Sequence, residues 1–137
     1  MTALTKERDT TRRDGHRISL AMAAVKIFVG AIVCVDTATG FATKGATSTT
    51  LRGVGVAEQT VDNTAGAAGS QQIWFRRDGW FRFANSASAD LITTADIGVD
   101  AYLVDDQTVA KTSATNTRSV AGRIRDVDAQ GVWISFP

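Results

Sequence analysis

Gln71-Gln-Ile-Trp-Phe-Arg-Arg-Asp-Gly-Trp-Phe-Arg-Phe-Ala84 is the stretch whose reading decides the fold class. Two runs of aromatic and β-favouring residues flank Asp78-Gly79. A Gly preceded by Asp accepts the positive φ of a tight turn, so the stretch is predicted to be a β-hairpin. The parity of such a pairing puts Trp74, Phe81 and Phe83 on one face and Ile73, Phe75 and Trp80 on the other. Both faces are apolar, whereas a hairpin on the open side of a sandwich would carry a polar outer face. One face is therefore expected in the core and the other against a partner.

Outward from this hairpin the chain continues in strands. Upstream, Asp62 to Ser70 is a loop of small residues without Lys, which excludes a P-loop. Phe41 to Ala46 and Leu51 to Glu58 read as short strands. The Gly53-Val-Gly55 pair in the second has no third Gly at nucleotide-loop spacing and no helix pattern behind it. Lys26 to Val35 is apolar on both faces, as a central strand would be, with Gly30 marking a bulge or a close backbone approach; Ile18 to Ala24 precedes it as a strand, and Asp36 to Gly40 follows as a turn. Downstream, Asn85 to Asp90 is a polar turn, Thr93 to Asp96 a single helical turn, and Val99 to Val104 a strand. Arg118 to Arg125 and Gly131 to Phe136 form a last hairpin. About eight to ten short strands with regularly spaced turns predict an all-β protein: a single antiparallel β-sandwich or jelly-roll-like barrel over residues 18–137, with an extended N-terminal arm over residues 1–17.

The arm carries Lys6, Arg8, Arg12, Arg13 and Arg17 against Glu7, Asp9 and Asp14, with almost nothing apolar to tie it to a core. It is expected to be disordered alone and to order on a neighbouring subunit. The whole chain has 15 basic and 14 acidic residues, a net charge of +1, so no global field points to nucleic acid or to an anionic membrane. Ala21 to Val35, the longest apolar stretch, is too short and too interrupted by Lys26 and Gly30 to span a bilayer, and the polar residues before it do not resemble a signal peptide. A cytosolic site of synthesis is expected. The single Cys34 sits in an apolar run and reads as a small buried hydrophobe.

Residues that could carry chemistry are sparse. Asp105/Asp106 and Asp126/Asp128 are the acidic pairs, and Asp126 and Asp128 would point the same way in a strand, close enough for acid and base roles or a shared cation. All four fall at predicted turns, where Asp serves local backbone hydrogen bonds. His16 is the only histidine and lies in the arm. No nucleophile with a base, no metal motif and no cofactor loop is recognisable, so neither catalysis nor a metal nor a cofactor is expected.

Ile97-Gly-Val-Asp-Ala-Tyr-Leu-Val-Asp-Asp-Gln-Thr-Val-Ala110, then Ser119-Val-Ala-Gly-Arg-Ile-Arg-Asp-Val-Asp and Gly131-Val-Trp-Ile, together resemble the small head decoration, or capsid cement, proteins of tailed bacteriophages. Gly30-Ala-Ile-Val, Asp36 to Phe41, Gly53-Val-Gly-Val-Ala and Asp62-Asn-Thr-Ala-Gly agree with this, and the likeness runs from about residue 15 to residue 136. It implies a non-enzymatic virion protein, made in the host cytoplasm, that sits on the outer surface of an icosahedral head. There it would bridge major capsid protein subunits, associate with itself as a dimer or trimer, and resist internal DNA pressure. Lys6, Arg8, Arg12, Arg13, Arg17, Trp74, Trp80 and Phe81 are the expected capsid or subunit contacts. Two other readings compete. One is a carbohydrate-binding sandwich module whose exposed aromatics stack on sugar rings. The other is a single-stranded nucleic acid binder using Arg76, Arg77 and Arg82 beside the hairpin aromatics, which the charge balance disfavours.

Overall fold

Runs rich in Val, Ile and Phe, punctuated by Gly and Asp, become twelve strands in the computed structural model, which describes residues 2–137. They are β1 (Arg17–Ala21), β2 (Lys26–Ile27), β3 (Ile32–Asp36), β4 (Ala42–Lys44), β5 (Leu51–Ala57), β6 (Val61–Asp62), β7 (Gln72–Arg76), β8 (Phe81–Asn85), β9 (Asp100–Leu103), β10 (Thr108–Ala110), β11 (Val120–Asp128) and β12 (Gly131–Ser135). Two 3-10 turns, Ser88–Asp90 and Thr94–Asp96, lie between β8 and β9. The second is the helical turn expected at Thr93 to Asp96, closed by a capping box between Thr93 and Asp96.

The all-β class and the antiparallel sheets agree with the expectation at that coarser level. The strand order is β1-β7-β5-β3-β4 in a five-stranded sheet and β10-β8-β12-β11-β9 in a small closed barrel, with β2 and β6 paired separately. Only β8 and β10 pair in parallel within the barrel, and a parallel bridge from Met22 to Ala42 draws the two edge strands of the sheet together at one end. Two apolar clusters result. Ile18, Leu20, Met22, Ile73 and Phe75 belong to the sheet's cluster, and Phe83, Leu103, Ile124 and Ile134 to the barrel's. β3 serves both, with Ile32 and Cys34 in the barrel's cluster and Val33 in the sheet's, which is why this strand is apolar on both faces.

The expected central hairpin does not form. β7 lies between β1 and β5, whereas β8 lies between β12 and β10, so the Asp78-Gly79 link carries the chain from sheet to barrel. Gly79 has the positive φ, +89°, that the turn chemistry anticipates. What fails is the pairing, and with it the shared faces. Each strand presents its own apolar side to a different core: Ile73 and Phe75 to one, Phe81 and Phe83 to the other.

The run from Lys26 to Val35 is also not one strand. It breaks after Ile27, turns through Gly30 at φ +87° and resumes at Ile32, which leaves Phe28 and Val29 outside. Gly30 therefore serves a turn; the close approaches occur at the alternating glycines of β5. A Cβ on Gly53 would lie 1.9 Å from the carbonyl oxygen of Ala121, and one on Gly55 would lie 2.3 Å from that of Arg76. Those contacts seat the sheet on β11 of the barrel and on its own neighbour β7.

Candidate interaction surface

Residues 2–15 form no regular structure and are exposed throughout, and β1 begins at Arg17. Arg12 is 3.3 Å from Asp14 on the arm itself, while Lys6, Arg8 and Arg13 have no ion pair among the described residues.

Where the arm meets the sheet, charge is dense. β1 is the edge strand next to β7, and its register sets Arg17 opposite Arg76 and Ser19 opposite Trp74. Two like charges facing each other would repel, and Glu58 offsets this by pairing with both guanidiniums. Arg76 also grips Asp78, with Nε to Oδ1 and a terminal nitrogen to Oδ2 both at 3.2 Å, and Nδ1 of His16 is 3.4 Å from the same carboxylate. The two hydrogen bonds from Arg76 hold the Asp78 carboxyl below its ordinary range and raise Arg76 in turn. This network fixes the root of the arm.

Of the predicted contact residues, Arg17 and Trp74 lie together here, and Trp80 follows in the link after β7. The Trp74 ring is 38% exposed, with the Arg17 guanidinium 4.5 Å from its centroid. Trp80 follows Asp78 by two residues and is 57% exposed. Phe81 is half-buried against the barrel core, with its ring 5.9 Å from that of Phe136. Arg76 and Arg77, which the nucleic acid reading needs free, are engaged, the first by Glu58 and Asp78 and the second by the carbonyl of Pro137. Arg82 lies over Trp133 on the far side of the link.

Exposed Phe28 and Val29 form a second apolar feature that the sequence reading assigned to a buried strand. They border an open pocket of about 400 Å³ with Asp106 and Gln107. The positive φ available at Gly30 was the signal for a turn there.

The acidic pairs do local work, although Asp126 and Asp128 lie at the end of β11 and not in the turn expected for them. Asp105 accepts the Gln107 amide at 2.9 Å, and Asp128 accepts the amides of Gln130 and Gly131 and the Trp133 indole N–H at 2.7 Å. The indole bond is the main reason the Asp128 carboxyl sits below its usual range. Among the described residues no three His, Cys, Asp or Glu side chains group as metal ligands. The chain matches no protein-family model, no curated protein and no solved structure.

Proposed function

We propose that this protein is a capsid decoration, or cement, protein of a tailed bacteriophage: it binds the outer surface of the assembled head, bridges major capsid protein subunits and stabilises the shell against DNA pressure. The observation that carries this reading is the convergence on one region of three kinds of contact group. An exposed basic arm runs into an edge strand, that edge lies beside the exposed ring of Trp74, and Trp80 is exposed in the link that follows β7. Aromatic and Arg side chains are those that dominate protein interfaces, and an arm that orders on its partner adds reach. Self-association as a dimer or trimer belongs to the same reading. So does a sandwich-like relation between the sheet and the barrel that packs on it.

The carbohydrate-binding alternative is weaker at this site. A sugar stacks on an open ring face, and the Arg17 guanidinium lies over a face of Trp74. Trp80 alone is a small platform.

The test is co-sedimentation of the purified protein with assembled shells and with unassembled capsid subunits, alongside mass spectrometry of purified virions. Binding to shells but not to free subunits, and a stoichiometric presence in virions, are expected. Absence from virions, or saturable glycan binding without shell binding, would overturn the reading.

A further inference from the structure

The barrel carries a cleft beside Pro137, whose carbonyl accepts from Arg77 next to the arm's root. It opens between β9, β11 and β12, has a volume of about 300 Å³ and is lined by Phe136, Val120, Arg123, Arg125 and Asp100 among others. Two glycines line it. A Cβ on Gly98 would meet nothing within 4 Å, and Gly122 has no room for a side chain, because its Cβ would lie 2.6 Å from the Ser135 carbonyl oxygen.

Counting donors shows what the cleft lacks. Arg123 is largely committed: its Nε is 3.2 Å from Asp100 Oδ1, and a terminal nitrogen donates to the Gly98 carbonyl at 2.7 Å. Arg125 donates through Nε to Ser135 Oγ at 2.8 Å, and no described carboxylate pairs with it. Its two terminal nitrogens are left to take a carboxylate by two parallel hydrogen bonds. Arg125 is therefore the guanidinium of the lining without a carboxylate partner, beside an aromatic floor at Phe136 and the part-exposed methyls of Val120.

We propose that this cleft binds a carboxylate carried on an extended peptide segment of another protein, an Asp or Glu side chain flanked by apolar residues. The apolar floor and rim favour hydrocarbon next to the charge, which a free inorganic anion does not supply. A nucleic acid strand is disfavoured because Asp126 and Asp128 are exposed next along β11 and would repel a polyanion. Neither argument depends on the identity of the shell partner.

The test is a titration of the full-length protein, followed by ¹⁵N–¹H NMR, with three probes: acetyl-Leu-Glu-Val-amide, acetyl-Leu-Gln-Val-amide and sodium phosphate. Saturable shifts centred on Gly98, Gly122 and Ser135 are expected with the Glu peptide, and at least about tenfold weaker binding with the Gln peptide. Arg125→Gln should bring the Glu peptide down to the Gln level, and Arg125→Lys should fall between, because an ammonium keeps the charge but loses the fork. Arg125 is exposed, so both variants should keep the wild-type unfolding midpoint. Equal binding of the Glu and Gln peptides would overturn the proposal, as would equal saturation by phosphate, undiminished binding in Arg125→Gln or the absence of localised shifts.

Discussion

Asn63 organises a loop that its sequence describes only as small and polar. Its side-chain amide donates to the carbonyls of Ala23 at 3.2 Å and Ala67 at 3.0 Å, and its oxygen accepts from Ser70 Oγ at 2.8 Å, all with the residue almost wholly buried. Asn63→Ala leaves those carbonyls with only the amides of Val25 and Ser70 as donors and the Ser70 hydroxyl without its acceptor, and is expected to cost about 1–3 kcal/mol, measurable by urea unfolding. Cys34 makes a different point. Burial pushes its thiol up to about 12, so at neutral pH it should resist a thiol reagent in the folded protein and react fully once unfolded. The acid response follows from several carboxyls held below their ordinary 3.8: Asp62 by Thr64, Asp78 by Arg76, Asp90 by Thr112 and then Arg118, and Asp128 by Trp133. A folded-state pKa below the unfolded one means that the unfolded chain binds more protons on acidification. Their contribution is thus present above about pH 4 and lost below it, and it is modest because these groups are exposed. Urea midpoints should stay level from pH 7 to 5 and fall below pH 4; a midpoint that rises on acidification would contradict this.

At the scale of elements, β7 and β8 separate what sequence makes legible from what it hides. Period-two alternation marks both strands, and Asp78-Gly79 marks the turn between them. Pairing is a long-range choice that neither signal encodes, and here each strand goes to a different sheet. Parity within each strand survives: Trp74 is outward because Ile73 and Phe75 are inward. Parity across the link does not, so Phe81 packs half-buried against the barrel core. Phe83→Ala is therefore expected to cost about 3–5 kcal/mol of stability, whereas Trp74→Ala should leave unfolding almost unchanged and weaken association. Equal destabilisation by the two would contradict the separate roles. β11 and β12 were legible as a hairpin because their turn is short and local, Asp128 pairing with Gly131. The glycines of β5 were legible as unusual but not as spacers, since the Ala121 carbonyl that requires Gly53 is far away in sequence. Gly53→Ala is expected to force the sheet off the barrel and to cost about 1–3 kcal/mol or more, read from the same unfolding curves. The Arg125 cleft was not legible at all, because Gly98, Gly122 and Phe136 meet only in the closed barrel.

At the scale of the whole molecule, an all-β body carries an exposed basic segment that runs into the edge strand β1, beside Trp74. On the proposed function the protein would gain from multivalency: contacts that are weak singly become strong when one body touches two subunits of a fixed lattice. By mass action, a ligand of the intact shell then stabilises that shell. Removing residues 2–15 should leave the thermal unfolding of the isolated protein unchanged, since they make no core contact, and should lower shell occupancy in a salt-dependent way. The central claim is tested most directly by heating particles depleted of the protein, and the same particles after the purified protein has been added back, while recording DNA release. The account predicts release at a lower temperature from depleted particles and recovery of the original temperature on addition of full-length protein. Identical release temperatures with and without bound protein would contradict it.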